Sequence, residues 1–445
     1  MGQRATMTEF FEMRPVLAQA RLGTYFMIPL RYEEGALRHD RIQKVGKPWN
    51  VTTMDLSETV KGLFCADGTA SIGGCYEIDA EALCRVLFGA ETAHGIIGFA
   101  VSDRNGGDET LPFSFYQAYL YYFHTQVAFL CLGIGYEDMR VLRWICNLGF
   151  AESRAEYHYW NASGEERSFA LEKQLEEILR GWGLEGFFAP NSALLLEAYV
   201  DNVAVVPQRL RSLDTIRRAA FNLHLMSPPD ALAEDDSEED VDYVYAVKTQ
   251  ELGTYRWGCC VSSQTISYVM ANETLDIDAE MAAQARDGLP LLLMALYEKY
   301  TCLRFAQLIT AADKKSMKQL RSLKRIMLEF QAYGTVDPAN ISRWHNIKRI
   351  YQVVVESNRV PQAIEDVSGK LNILVEHQRE IERARNDMVV SVITLFGVIS
   401  ILASVLSIIQ ILSDGSQAAW LGMISSVLLL GALLVIMVFW SRREQ

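Results

Sequence analysis

The chain has 445 residues, enough for two or three domains of ordinary size. Half of the residues are hydrophobic and 22% are charged, which excludes a disordered chain. A formal net charge of −13 argues against nucleic acid as a partner, because phosphates demand a basic face.

Residues 1–30 carry Arg4, Glu9, Glu12, Arg14 and Arg21, with no apolar run of signal-peptide type, so a cytoplasmic start is expected. Met1-Gly2-Gln3-Arg4-Ala5-Thr6 fits a short myristoylation pattern of low specificity. The eight cysteines are Cys65, Cys75, Cys84, Cys131, Cys146, Cys259, Cys260 and Cys302. They form no CxxC and do not cluster with histidine, so reduced, buried thiols are expected and a zinc site is not.

Residues 1–285 read as an α+β cytoplasmic domain. Ala118–Phe123, then His124-Thr125, then Gln126–Leu132 looks like two apolar strands around a tight turn. Met139–Leu148 and Ser168–Gly181 have helical spacing. Leu194–Val206 and Val241–Lys248 are further strand candidates. The loop Arg104-Asn105-Gly106-Gly107-Asp108 is no phosphate cradle, because no helix with Gly-Lys-Ser/Thr follows it. No GxGxxG or GxSxG occurs, and the chain is not expected to be an enzyme. Glu234 to Asp242 holds seven carboxylates in nine positions. That composition suits a solvated, self-repelling loop better than a calcium loop, whose Gly-turn spacing is missing.

Residues 286–387 read as a helical stalk. Pro290 suits a helix first turn, and the pattern runs on to about Tyr333, ending at Gly334-Thr335. A shorter helix follows Asp337-Pro338, from about Ala339 to Glu356, and breaks at Ser357-Asn358-Arg359-Val360-Pro361. From Pro361 no stop signal precedes the membrane; a helix through Leu412 is about 78 Å long, with Gly369 its one weak point. Leu371, Leu374, Gln378, Ile381, Arg385 and Met388 make a heptad seam with two polar interruptions.

Residues 388–440 read as two transmembrane helices. Met388 to Leu412 holds 25 residues without an ionisable side chain, enough to span a bilayer. After Ser413-Asp414-Gly415-Ser416-Gln417, a second apolar stretch runs from Ala418 to Trp440, bracketed by Trp420 and Trp440. Arg379, Arg383 and Arg385 precede the first stretch, and Arg442 and Arg443 lie in the basic tail, residues 441–445. Both termini are therefore expected inside, in a multi-pass protein of the inner cell membrane. Gly397, Ser400, Ser404 and Ser407 fall on one stripe of the first helix, with Gln410 near its end. Such a stripe serves either close helix approach or the lining of a wet pore. Two helices cannot enclose a pathway alone, so a pore requires an oligomer.

The plan of a cytoplasmic α/β domain, a stalk helix running into the membrane, a tiny outer loop and a basic tail resembles the CorA family of divalent-metal transport proteins. Asn386-Asp387-Met388, Thr394-Leu395-Phe396 and Phe439-Trp440-Ser441-Arg442-Arg443 carry the local likeness, which covers about residues 290–445. The resemblance implies a homopentamer in the lipid bilayer, first membrane helices around the pore, and a divalent cation such as Mg2+, Ni2+ or Zn2+. Asn386, Gly397, Ser400, Ser404, Ser407 and Gln410 are then pore-lining candidates and Asp414 marks the outer mouth, while Arg385 either forms an inner ring or reaches for lipid headgroups. The chain departs from the family's Gly-Met-Asn motif, reading Gln410-Ile411-Leu412-Ser413-Asp414-Gly415 there, which puts magnesium transport in doubt. CorA-like proteins lacking the motif also serve as ligand-gated membrane effectors in prokaryotic defence, including CRISPR-associated systems. A cytosolic small-molecule ligand for the soluble domain is the corresponding expectation.

Overall fold

A computed structural model describes residues 2–64, 71–88, 95–104, 108–146, 155–188, 194–232, 240–311 and 317–413, with Gly431. Cys65, Asn105-Gly106-Gly107, the acidic residues 234–239, Asp414, the second apolar stretch Ala418–Trp440 (save Gly431) and the basic tail lie outside the described residues. The chain divides into two units: Met1–Ala311 with Ser322–Gly369, and Ala312–Arg321 with Lys370–Gln445.

The first unit is α+β and built on a mixed sheet. Its strands are β1 (Arg21–Arg31), β2 (Gly46–Trp49), β3 (Gly73–Ile78), β4 (Gly98–Asp103), β5 (Thr110–Phe123), β6 (Val127–Tyr136) and β7 (Ala155–Trp160). Then come β8 (Glu166–Phe169), β9 (Glu185–Gly186), β10 (Tyr199–Val206), β11 (Asp242–Tyr245), β12 (Trp257–Val261) and β13 (Thr265–Ala271). The order is β11-β12-β13-β10-β1-β6-β5-β4-β7-β8, with β3 joining β5 to β2 and β9 on β1. Only the β10–β13 pair among these ladders is parallel.

The expected hairpin is β5 and β6, joined at Gln126 in the left-handed region (φ 67°). A register shift between Phe115 and Ala118 bends β5, so that its first half pairs with β4 and its second half with β3. The strand predicted from Leu194 begins at Tyr199, and the one predicted over Val241–Lys248 is confined to β11. Ser168 belongs to β8, paired with β7, and the helix starts only at Leu171.

Every residue of β6 and β10 is buried, and nine consecutive residues of β1 are too, so the middle of the sheet is covered on both faces. Helices α1 (Gly2–Leu17), α2 (His39–Ile42), α3 (Glu58–Leu63), α4 (Ala80–Phe88), α5 (Arg140–Ile145), α6 (Leu171–Gly181) and α7 (Leu213–His224) are interspersed among the strands. On one side α7 packs on β12 and β13. On the other lie α8 (Ile277–Ala283), a π-turn (Gln284–Gly288) and α9 (Leu289–Ala311). There Tyr297 stacks on Phe123 at 4.2 Å between ring centres and Tyr300 meets Phe129 edge-on at 5.4 Å. Each such buried aromatic side chain is worth about 1.5–3 kcal/mol of burial. At Gly23 the approach is close enough that a Cβ would sit 2.6 Å from the sulfur of Met281 on α8.

Pro290 is the second residue of α9, in its first turn as its position predicts, but α9 continues a helix that starts earlier. The helix begins at Ile277, where the Asp276 carboxylate accepts from the Ala279 amide at 3.0 Å. It then runs through the π-turn into α9. Proline lacks an N–H and crowds the carbonyl four residues back; the wider π-turn directly before it accommodates both.

Helix α10 (Met317–Glu329) is followed by a second π-turn (Phe330–Gly334), α11 (Pro338–Ile341), α12 (His345–Ser357) and α13 (Val360–Ser413). The single helix predicted from Ala339 to Glu356 is thus two, interrupted by extended Ser342. Between α12 and α13 only Asn358 and Arg359 intervene, with Arg359 left-handed (φ 50°). Helix α13 is 54 residues long and passes through Gly369 without a break. In the second unit Leu320, Leu371 and Val375 are buried, and Arg321 pairs with Glu382 at 3.2 Å. Among the described residues α13 alone is long and apolar enough to cross a membrane, with a mean hydropathy of 2.6 over its most apolar window and none of that window buried.

Candidate functional site

The α+β unit contains a cavity of about 280 Å³ beside the first π-turn. Trp257 and Tyr268 line its sheet side, Gln284 and Gly288 its π-turn side, and Ile347 and Ile350 the side of α12. Period-two alternation puts Asp201 of β10 and Tyr268 of β13 on the same sheet face, since Tyr268 pairs with Val203. Gln284 donates from Nε2 to Asp201 Oδ2 at 2.5 Å and is also hydrogen-bonded to the Tyr268 hydroxyl. Burial raises the Asp201 carboxyl to about 7, and the Gln284 bond offsets only part of that. Its Oδ1 has no partner among the described residues, although Asp201 is fully buried.

Asp287, also on the π-turn, accepts from Thr53 Oγ1 at 2.7 Å and pairs with Arg286 at 2.9 Å. Asp55 lines the same cavity. Burial and then the neighbouring Asp287 charge raise its pKa, partly offset by Arg286 and Arg343.

One further buried carboxyl ties this region to α12. Glu298 of α9 accepts from the Tyr351 hydroxyl at 2.7 Å and from the Val336 amide at 3.0 Å. Burial raises it to about 7, against the lowering effect of both bonds. Lys299 donates to Asn358 Oδ1 at 2.7 Å, and Asn358 Nδ2 donates back to the Val354 carbonyl at 2.8 Å. The α12–α13 joint is therefore held from α9, the helix that starts at the cavity.

The membrane candidates all sit on α13 except Asp414, which lies outside the described residues. Arg385, Asn386, Gly397 and Ser404 are exposed, Ser400 and Ser407 half-buried; Gln410 is helical, with its side chain outside the described residues. The Ser404 hydroxyl donates to the Ser400 carbonyl at 2.8 Å, and Thr394 donates to Val390 at the same distance. Their protons are thus satisfied within the helix, which suits an apolar surrounding. Position 397 has open space, as a Cβ there would meet nothing within 4 Å. Gly397, Ser400, Ser404 and Ser407 all stand on this one helix. Of the expected seam, Leu371 is buried and Leu374 and Gln378 are half-buried, whereas Ile381, Arg385 and Met388 are exposed.

Ser102, His158 and Glu166 were not singled out by the sequence. Ser102 Oγ lies 3.0 Å from His158 Nε2, and His158 Nδ1 lies 3.0 Å from Glu166 Oε1. The order resembles a nucleophile, base and orienting carboxylate. Yet Ser102 sits within β4, paired on both sides to Thr110 and Glu156, so its backbone belongs to the ladder and frames no oxyanion site. The three side chains make a polar tie running diagonally across β4, β7 and β8.

Among the described residues no three His, Cys, Asp or Glu side chains converge as a metal site. The described cysteines are free thiols, and burial raises those of Cys75, Cys131 and Cys259 well above the usual range. Profiles of known protein families, curated proteins and solved structures yield no match to the chain.

Proposed function

We propose that the chain is an oligomeric membrane channel or transporter of CorA-like plan, homopentameric and multi-pass, with a cytoplasmic domain that regulates it. The observation that carries this reading is α13, one uninterrupted helix from the soluble unit through an exposed apolar span. A helix with so much apolar surface and no cover among the described residues calls for an apolar surrounding, such as lipid or other copies of itself. In this reading Gly397, Ser400, Ser404 and Ser407 face the pathway, Arg385 rings the inner mouth and Asp414 stands at the outer mouth.

The test is reconstitution in liposomes with flux of Mg2+, Ni2+ and Zn2+, alongside the mass of the assembly. Flux from a pentamer supports the proposal. Absence of flux under every gating condition, from a pentamer confirmed by mass, sinks it.

A ligand-gated membrane effector of a prokaryotic defence system, CRISPR-associated among them, is the second reading. It is favoured by the cavity at the π-turn, whose α12 wall leads into α13 through two residues. The departure from Gly-Met-Asn over Gln410–Gly415 also favours it. A membrane that stays tight until a cytosolic small molecule is added would select this reading over constitutive cation transport.

A further inference from the structure

We propose that the cavity beside the first π-turn binds a zwitterion of amino-acid size, its carboxylate on Arg256, its ammonium on Asp55 and its side chain on the apolar floor. This rests on the reading of the soluble unit as a regulatory, ligand-binding domain.

Four observations meet here. The first is charge. The Arg256 guanidinium makes no ion pair or hydrogen bond among the described residues, and the Asp55 carboxylate accepts none. Other charged groups of this region are committed: Asp287 to Thr53 and Arg286, Glu280 to Asn272. A free guanidinium and a free carboxylate lining one cavity are complementary to a ligand carrying both opposite charges.

The second is placement. Arg256 stands on the sheet side, where its carbonyl accepts from the Ala271 amide. Asp55 stands on the helical side, where the Ser342 hydroxyl donates to its carbonyl. The charges acting on Asp55 are those of Asp287, Arg286 and Arg343, and Arg256 is not among them. The two free groups thus stand on different walls of the one cavity.

The third is size and lining. About 280 Å³ lies just below the usual range of small-molecule sites, roughly 300–1,000 Å³, and suits a small ligand. Leu291 and Ile350 supply an apolar floor and Trp257 an aromatic wall. That combination fits a zwitterion with an apolar or aromatic side chain, not a simple ion.

The fourth is the backbone. A π-turn is uncommon and recurs where a side chain must be re-aimed. Here it presents Gln284 and Asp287 to the cavity, and Gly288 keeps Gln284 in place, since a Cβ there would sit 2.3 Å from the Gln284 amide.

The test uses the full chain in nanodiscs and calorimetric titration with L-phenylalanine, 2-phenylethylamine (no carboxylate) and 3-phenylpropionate (no ammonium). L-Phenylalanine is expected to bind saturably, and each singly charged probe at least about tenfold more weakly, the loss of one charge-assisted contact. Arg256→Ala should bring L-phenylalanine down to the level of phenylethylamine, and Asp55→Asn down to that of phenylpropionate. No saturable binding of L-phenylalanine or L-leucine at about 10 mM overturns the assignment. So does equal binding of the three probes by the unaltered chain, a comparison that needs no variant to fold. Ion flux is read separately. Binding that leaves flux unchanged counts against regulation of transport and leaves the site standing; flux without binding removes the site alone.

Discussion

Glu298 is a buried carboxyl held by two neutral donors, Tyr351 and the Val336 amide. Tyr297, Cys302 and Asp337 are the other titratable groups around the pair. Its folded value of about 7 lies above the ordinary 4.5, so the folded state binds the proton more tightly than the unfolded one. Stability from this group is full below about pH 4.5 and falls as pH rises towards 7. Glu298→Gln keeps an acceptor for both donors and cannot ionise. It should flatten that fall and stabilise the protein at pH 8 by on the order of 2–3 kcal/mol, read from thermal unfolding across pH. An unchanged pH profile would rule out burial of the charged form. Neither Glu298 nor Asp201 stands out in the sequence, because the partners are remote: Tyr351 is 53 positions away and Gln284 is 83. A carboxylate acquires its unusual character only from what the fold sets beside it.

Helices and strands were legible where their period or composition was strong. The β5–β6 hairpin follows from aromatic and branched residues on either side of a polar turn, and α13 from 25 residues without charge. The π-turn was not legible, because helix-start rules treat Pro290 as a beginning. Nothing local announces that a wider turn will carry the helix past it. The seam of α13 was legible only in part, since Ile381 and Met388 stay exposed in a single chain. Gly288→Ala tests the π-turn directly. Its methyl group would collide with Gln284, cost about 1–3 kcal/mol and withdraw the one donor to Asp201. The Asp201 carboxylate is then harder to keep ionised, so the loss of Tm should be larger at pH 8 than at pH 5. An equal loss at both pH values would separate the turn from Asp201.

At the scale of the molecule, an α+β unit and a helix long and apolar enough to cross a membrane could be read from the sequence, because a bilayer imposes a length that few other environments do. The mixed sheet could not be read, since strand order depends on pairings such as Val200 with Thr265 that no short window contains. Removing residues 388–445 should move the chain from the membrane fraction to the soluble one after alkaline washing; retention in the membrane would require another attachment. In liposomes, Arg385→Glu should shift selectivity from anions towards cations if five guanidiniums ring the mouth. Unchanged selectivity would leave Arg385 as a residue that reaches for lipid headgroups.

The short outer strands of the sheet have a consequence for life at a membrane. Confinement to a bilayer brings copies of a protein together far more often than solution does, and open sheet margins then invite runaway cross-β stacking. Among the described strands the margins are β11, β8 and β2, four residues each, and the two-residue β9, and β2 carries Lys47 and Pro48. A proline offers no donor and a lysine resists desolvation, so little ladder is left for a neighbour to extend. If the chain works in a bilayer as proposed, crowded copies are thereby steered away from sheet-to-sheet fusion.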